Sequence, residues 1–384
     1  MRKTYLAILL LLMPVSLWAQ CTGAVAFQGD YGVPEGASGD AHYVVFVPQP
    51  AGCYNGNMIL FAHGYIPVGA PPNAWQSQLV LPDGTSLPAL LNSLGFGFAA
   101  SSFSKDGLAV LEGIQDTKAL INVIQGLRIP VSKYFVTGAS EGGLVATKSV
   151  ESDPTYSGGL AVCGPIGSFR KQLNYFGDVR VLFDYFFPGV LTTGTPGESA
   201  INIPPALIAN WTTVYEPAVR KAVNSNFLAT LQLINTAKIP IGLNFNNAAD
   251  AIVDALWYNV FATTDAQATL GGNPYDNIGA VYSGSFRDAR LNAVVPRFAA
   301  DSAALSSLHA YETSGLLHDP LVTLHTIYDP VVPFWHEALY SDKALTTHSS
   351  LELVQIPALR FGHCNVNGAE AEAALLVLLL KAGH

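Results

Sequence analysis

The chain has 384 residues, of which 50% are hydrophobic and only 12% are charged, and its formal net charge is −9. This composition supports a large buried core and excludes an intrinsically disordered chain. Nucleic acid is not an expected partner, because phosphate contacts need clustered Lys and Arg and no basic run follows the N-terminus.

Residues 1–19 have the pattern of a secretory signal peptide. Two basic residues precede an apolar run over residues 5–13, and Ala19 supplies the small residue before the cleavage site. A stable membrane span is not expected, because the run is shorter than the roughly 20 apolar residues that a span needs. Cys21 leaves a lipoprotein anchor as an alternative, although its neighbours fit a lipoprotein signal poorly. We therefore expect a secreted protein.

Strands alternate with helices from about residue 42 to residue 165. The predicted strands are HYVVFVP, MILFAHG, FGFAASSF, KYFVTGAS and GGLAVCGPIG, and the predicted helices are SLPALLNSLG, GLAVLEGIQDTKALINVIQGL and EGGLVATKSVES. Apolar strands that alternate with helices are typical of a parallel sheet covered on both faces. The sequence therefore predicts an α/β fold with a mostly parallel, doubly wound sheet.

The alternation stops over residues 166–319, a stretch rich in aromatic residues. Its helical segments include PALIANWTTVYEPAVRKAV and DAIVDALWYNVF, and the stretch is too long for an ordinary loop. Alternation resumes with PLVTLHTIYD, PFWHEALYSDKAL, LELVQIPAL and GAEAEAALLVLLLK. We predict one sheet domain, formed by residues 20–165 and 320–384, with a helical lid inserted between them.

A glycine-flanked serine follows the predicted strand KYFVTGA. The run from Gly138 to Gly142 matches GxSxG around Ser140, and a predicted helix follows it, as a nucleophile elbow requires. The start of that helix would stabilise negative charge developing beside the serine. A purely structural glycine-rich turn is the alternative. With this motif the chain resembles the α/β-hydrolase superfamily, outside the insertion, and the resemblance places the lid between the sixth and seventh core strands.

The resemblance implies an acid and a histidine that follow Ser140 in that order. Asp329 ends a predicted strand in TIYDPVVP and is the acid candidate, with an N-cap for the next helix as its alternative role. His363 in RFGHCN lies between the last strand and the last helix and is the candidate base. The competing acids are Asp319, Asp178 and Asp184, and the competing histidines are His309, His318, His325, His336, His348 and His384.

Two backbone N–H groups are expected to form an oxyanion hole. One belongs to Glu141, which follows the serine, and the other belongs to Tyr65 in the His-Gly-Tyr run after MILFA. The Tyr65 ring is also a candidate to lie along the acyl group. An ordinary glycine turn at Gly64 is the alternative.

Four cysteines of an exported chain predict two disulfides, with three pairings open. Cys163 ends the strand beside the nucleophile strand and Cys364 follows His363, so both are expected at the catalytic edge of the sheet. The His-Cys pair resembles the tannase and fungal-type feruloyl esterase family, in which the cysteine after the histidine is disulfide-bonded to one before the nucleophile. Here Ala139 precedes the serine, and the resemblance covers only the histidine side. A bond from Cys163 to Cys364 leaves Cys21 to pair with Cys53.

No cysteine or histidine spacing is that of a zinc site, so no metal is expected. Aromatic residues of the insertion, Trp257 and Phe187 among them, are candidates to line a substrate cleft. The alternative is that these residues form the insertion's own core, because amphipathic spacing usually indicates core positions. The other members of this aromatic set are Phe183, Tyr185, Phe186, Trp211 and Tyr258.

The sequence thus predicts a secreted serine hydrolase without a cofactor, acting on a small-molecule or polymeric carboxylic ester. Aryl, feruloyl, lipid and polyester substrates stay open. The first alternative is a prolyl-type peptidase, which has the same fold and triad. An aminopeptidase of this type would need buried acids to bind the free amine of its substrate. The insertion offers Glu216, Asp250 and Asp254 for this role. A non-catalytic binding module on this fold is the second alternative, and it would need no intact triad.

Overall fold

A computed structural model describes residues 21–32 and 40–383, and the predicted signal peptide lies outside these described residues. The sheet has eight strands in the order β1-β2-β4-β3-β5-β6-β7-β8. They are β1 Gly23–Tyr31, β2 Ala41–Gln49, β3 Asn57–Ala62, β4 Gly97–Ser101, β5 Lys133–Ala139, β6 Tyr156–Val162, β7 Leu321–Tyr328 and β8 Leu353–Phe361.

Strands β3 to β8 run parallel, and only the pairs β1–β2 and β2–β4 are antiparallel. Every residue of β3 and β4 is buried, as expected for central strands covered on both faces. Strand β1 is mostly exposed and lies at the sheet edge. It was not predicted, because its sequence lacks a continuous apolar run.

Twelve α-helices accompany the sheet within the described ranges. They are α1 Leu87–Ser93, α2 Val110–Gly126, α3 Glu141–Ser152, α4 Phe169–Phe186, α5 Pro205–Ala209, α6 Glu216–Ser225, α7 Phe227–Ala237, α8 Ala248–Leu270, α9 Asp288–Val294, α10 Ser302–Leu308, α11 Trp335–Thr346 and α12 Gly368–Lys381. None of these helices is long and apolar enough to cross a bilayer.

Alternate residues of each central strand pack against different helices, because successive strand side chains point to opposite faces. In β3, Met58 and Leu60 join the hydrophobic cluster that includes α2 and α3. Ile59 and Phe61 join the cluster that includes Leu91 of α1, together with α12. The sheet is therefore doubly wound, as predicted.

Helices α4 to α10 occupy the chain between β6 and β7. They contribute most of a separate hydrophobic cluster, centred on α4 and α8. The predicted segment PALIANWTTVYEPAVRKAV forms α5, a π-helical turn at Trp211–Tyr215, and α6. The fold is the predicted α/β-hydrolase fold, with its helical insertion between the sixth and seventh strands. The division at residues 166 and 319 into separate domains stays a prediction.

Candidate active site

Ser140 lies in the tight turn from β5 into α3. Its backbone has φ 57° and ψ −123°, a strained conformation for a residue with a side chain. A Cβ on Gly138 would overlap the carbonyl of Gly142, and a Cβ on Gly142 would overlap the carbonyl of Ala62. The turn thus accepts only glycine at both flanks, and it presents the Ser140 hydroxyl at the N-terminus of α3.

The structure brings Ser140, His363 and Asp329 into one hydrogen-bonded chain. His363 Nε2 lies 2.8 Å from Ser140 Oγ, and His363 Nδ1 lies 2.8 Å from Asp329 Oδ2. The carboxylate cannot donate, so Nδ1 carries the proton and Nε2 is left to accept from the serine hydroxyl. This arrangement lets the imidazole remove the serine proton.

Asp329 is fully buried directly after β7. Its Oδ1 accepts from the N–H groups of Val331 and Val332, each at 2.9 Å, while Oδ2 faces His363. The carboxylate therefore stabilises the turn that follows β7 and also contacts the imidazole of His363. Helix α11 begins later, at Trp335, and Asp329 does not cap it.

A second buried histidine lies behind this acid. His325 donates from Nε2 to the Val332 carbonyl at 2.8 Å and from Nδ1 to Glu337 at 2.9 Å. Burial alone would lower the His325 pKa, but the bond and charge of Glu337 outweigh burial and raise it. The His325 ring lies 3.7 Å from Asp329 Oδ2, where its protonated form would stabilise the carboxylate.

Glu141 directly follows Ser140, and Tyr65 lines the same two cavities as Ser140. A Cβ added to Gly64 would come within 3.1 Å of Ser140 Cβ, so the loop after β3 lies against the serine. The Gly64 N–H is held by Gln78 Oε1 at 2.6 Å. Within residues 21–32 and 40–383, neither the Tyr65 N–H nor the Glu141 N–H has a hydrogen-bond acceptor. Both donors are thus free for a substrate oxygen.

The Glu141 side chain is buried away from the serine. Its Oε1 accepts from the Ala109 N–H at 2.9 Å, and burial raises the pKa of this carboxyl to about 8. At neutral pH the group is therefore mostly protonated in the folded protein. The unfolded chain releases the same proton near pH 4.5.

We expect Glu141→Gln to alter the pH dependence of stability. Between pH 4.5 and about 8 the folded chain keeps a proton that the unfolded chain has lost, so wild-type stability falls as pH rises. Glutamine keeps an acceptor for Ala109 and has no such titration. The variant should melt like wild type near pH 4.5 and several degrees higher at pH 8.5, with a difference of at most roughly 4–5 kcal/mol. Thermal melts between pH 4.5 and 8.5 measure this difference, and Glu352→Gln is the control variant. If the melting temperature depends on pH in the same way for Glu141→Gln and wild type, the prediction is wrong.

Tyr258 of α8 is a site residue that sequence reasoning only grouped with other aromatics. Its ring contacts the His363 ring edge-on at 6.3 Å between centroids, and its hydroxyl interacts with Ser140. Burial raises the pKa of this phenol, and its interaction with Ser140 opposes part of the rise. Its only sequence signal was its place in the helical run DAIVDALWYNVF.

The predicted substrate-binding aromatics lie in different places. Tyr65 lines both cavities that reach Ser140, and its hydroxyl donates to the Phe261 carbonyl at 3.1 Å. Trp257 packs behind Tyr65, with ring centroids 6.2 Å apart. Phe187 is buried against Phe183 in the insertion's core and lines neither cavity.

Two cavities meet at Ser140. The larger, of about 300 Å³, runs between the sheet and helices α1 and α12, and we call it the sheet cavity. The smaller, of about 50 Å³, lies between the start of α3 and helices α4 and α8, and we call it the insertion cavity. Tyr65 and Tyr258 line both. An ester carbonyl at Ser140 would therefore have room for one substituent on each side.

Most other candidate acids have partners away from Ser140. Asp178 accepts from two tyrosine hydroxyls, Asp184 pairs with Arg180, and both Glu216 and Asp250 pair with Arg220. Asp254 differs, because it lies close enough to His363 for their charges to interact. Burial raises the Asp254 pKa to about 6.

The cysteines form the two bonds Cys163–Cys364 and Cys21–Cys53. Cys163 and Cys364 both have positive φ, at 43° and 46°, so the bond joins two strained turns beside His363. These two cysteines and His363 are the one cluster of metal-ligand side chains that the described residues bring together. Both sulfurs are bonded to each other and are not available as thiolates.

Loss of the Cys163–Cys364 bond should weaken both stability and activity. It closes a loop with a sequence separation of 201, for which chain entropy predicts about 5 kcal/mol, while removal of native disulfides typically costs about 2–5 kcal/mol. The freed His363 loop should also lower kcat. The double variant Cys163→Ala/Cys364→Ala is compared with Cys21→Ala/Cys53→Ala, which should lose stability but keep activity. Equal activity of the two double variants would show that the first bond does not position His363.

No protein-family model matches the chain, and no curated protein matches it in sequence. Among solved structures it is similar to Pyrococcus horikoshii acylaminoacyl peptidase, at 10% identity and TM-score 0.45, over 94% of this chain and 41% of that one. The chain therefore spans about two fifths of that peptidase's length. It is also similar to Pyrococcus furiosus esterase Pf2001, at 11% identity and TM-score 0.47, over 93% of this chain and 90% of that one. A third similar structure is Est1E from Butyrivibrio proteoclasticus, at 12% identity and TM-score 0.41, over 94% of this chain and 100% of that one.

Proposed function

We propose that the protein is a secreted serine hydrolase that cleaves carboxylic esters through an acyl-enzyme. The observation that carries the proposal is the hydrogen-bonded chain from Ser140 through His363 to Asp329, with 2.8 Å at each link. A serine in a purely structural turn needs neither a histidine acceptor nor a buried acid behind it.

In this proposal Ser140 Oγ attacks the ester carbonyl carbon while His363 Nε2 takes the hydroxyl proton. The carbonyl oxygen becomes an oxyanion and accepts from the N–H groups of Tyr65 and Glu141. The resulting imidazolium is stabilised by Asp329 and returns its proton to the leaving alcohol. Water then attacks the acyl-enzyme with His363 as base again, and the acid product leaves.

The surroundings of Ser140 support an ester with apolar substituents. Both cavities at the serine are lined mainly by apolar side chains. The two disulfides fit an exported protein. Aryl, feruloyl and polymeric esters remain within this proposal, and secretion is part of it.

A peptidase with the same triad is the second candidate, and Asp254 favours it. This carboxyl lies in the insertion near His363 and has no hydrogen bond or ion pair with another residue of the described chain. A free substrate amine would give it a partner. The similar solved structures include both esterases and a peptidase, so they do not separate the two candidates.

The test compares an ester with an amide on the full mature chain. Hydrolysis of p-nitrophenyl acetate and of a prolyl arylamide is measured before and after treatment with a fluorophosphonate, and the adduct is located by peptide mass spectrometry. The proposal expects faster ester turnover, inhibition, and the adduct on Ser140. Faster turnover of the arylamide would favour the peptidase, and an unlabelled Ser140 with no turnover would favour a binding module.

A further inference from the structure

The sheet cavity extends deep into the core of the protein. Its floor consists of alternate residues of β5, from Ala139 beside the serine through Thr137 to Phe135. Phe135 lies five positions before Ser140, which at about 3.3 Å per residue gives a depth of roughly 16 Å. An aromatic ring would fill less than half of that length.

Neighbouring strands continue the same floor, since the paired residues share a face. Phe61 of β3 pairs with Thr137, and Leu160 of β6 pairs with Thr137 from the other side. The roof consists of helix α12, where Ala371, Leu375 and Leu378 line successive turns, and of α1. The cavity is therefore elongated along the strands and starts at Ser140 and His363.

The cavity walls are mainly apolar, and the polar side chains among them away from Ser140 include Ser77, Gln78, Thr137 and Glu372. Thr137 Oγ1 already donates to the Leu160 carbonyl at 3.0 Å, and Gln78 Oε1 already accepts from Gly64. A sugar or a peptide would leave most of its polar groups unpaired against these mainly apolar walls, whereas a hydrocarbon would not.

The size of the cavity fits a chain of about ten carbons. The volume of about 300 Å³ is within the range of ordinary ligand pockets, and the cavity opens to solvent beside the exposed Val80. It equals the volume of about ten waters at roughly 30 Å³ each, and a methylene group is of similar size. The depth of roughly 16 Å accommodates on the order of a dozen extended carbon–carbon bonds.

We propose that the sheet cavity binds an unbranched hydrocarbon chain of about eight to twelve carbons, so that the substrates are medium-chain aliphatic esters. The inference rests on the proposed ester hydrolysis and adds its substrate class. The chain enters with its ester carbon at Ser140 and runs along β5 towards Phe135. The other ester substituent occupies the insertion cavity or the solvent beside it.

The first measurement is kcat/KM against chain length, in two series. One series varies the acyl chain of p-nitrophenyl esters from acetate to hexadecanoate, and the other varies the alkyl alcohol of acetate esters. Each methylene that leaves water contributes up to about fourfold. We expect a rise of at least 100-fold to an optimum at eight to twelve carbons, followed by a fall, in one series. The series that shows it identifies whether the chain is the acyl or the alcohol part.

A substitution in the roof then locates the chain. Ala371 lines the cavity, whereas Ala373 on the same helix is exposed, so Ala371→Phe and Ala373→Phe are matched in helix propensity. Ala371→Phe should lower the ratio of kcat/KM on the decanoyl or decyl ester to kcat/KM on p-nitrophenyl acetate at least 10-fold. Ala373→Phe should leave this ratio unchanged. The smaller replacement Ala371→Val gives an intermediate loss if Ala371→Phe folds poorly.

A flat or falling profile in both series would overturn the inference, as would equal profiles for Ala371→Val and wild type. Such results, with acetate turnover and fluorophosphonate labelling intact, would leave the ester-hydrolase proposal standing. Absence of turnover on every ester, with Ser140 unlabelled, would instead refute the proposed function itself and the chain-binding inference with it.

Discussion

Replacing Ser140 by alanine is expected to lower kcat/KM for p-nitrophenyl acetate by at least roughly 10⁴-fold. The alanine removes the oxygen that forms the acyl-enzyme, and His363 then has only water to activate. The remaining rate would come from the free N–H groups of Tyr65 and Glu141. Steady-state kinetics and loss of fluorophosphonate labelling measure the effect.

Ser152→Ala is the matched control for this variant. Ser152 lies at the exposed C-terminal end of the same helix, α3, and its hydroxyl donates only to the Lys148 carbonyl. It should keep full activity. Ester turnover by Ser140→Ala at more than a tenth of the wild-type rate would place the nucleophile elsewhere and remove the basis of the proposed mechanism.

Replacing Asp329 by asparagine should lower kcat by on the order of 10³–10⁴-fold. The neutral amide no longer stabilises the imidazolium, and its NH₂ group favours the wrong tautomer of His363 by donating to Nδ1. An asparagine oxygen can still accept from Val331 and Val332, so the turn after β7 should survive. The measurement is kcat at saturating ester, with circular dichroism to check the fold.

Asp342→Asn controls for the chemical change itself, because Asp342 is exposed on α11. It should leave kcat unchanged. A loss of less than tenfold in Asp329→Asn, with the fold intact, would show that another group orients His363. Asp254, whose charge interacts with that of His363, is then the first candidate.

Local sequence signals predicted the parallel core well. The strands β2 to β8 and the helices α1, α2, α3, α11 and α12 were all expected, because each has a clear apolar period or ends at a glycine. Strand β1 was missed because an exposed edge strand has no buried face to impose a pattern. Helix α2 also begins three residues later than its apolar pattern, at Val110, because Leu108 and Ala109 use their N–H groups to bind Asp265 and Glu141.

The residues of the candidate site that follow strands of the sheet could be predicted from the sequence. Ser140, Asp329 and His363 each lie directly beyond the carboxyl end of a strand, and strand order alone brings such positions together. Residues contributed by the insertion were not predictable, because their place depends on how its helices pack. Tyr258 reaches Ser140 and Phe187 does not, although both are aromatic residues in helical runs. The sheet cavity is a gap between elements and has no signature in the sequence.

Helix α8 connects the insertion to the core through hydrogen bonds. Asp265 on this helix accepts from the Leu108 N–H, Thr269 accepts from Lys105, and Tyr65 bonds the Phe261 carbonyl. Lifting α8 away from the core would break these three bonds together. A substrate that enters the sheet cavity past the exposed Val80 would leave them intact.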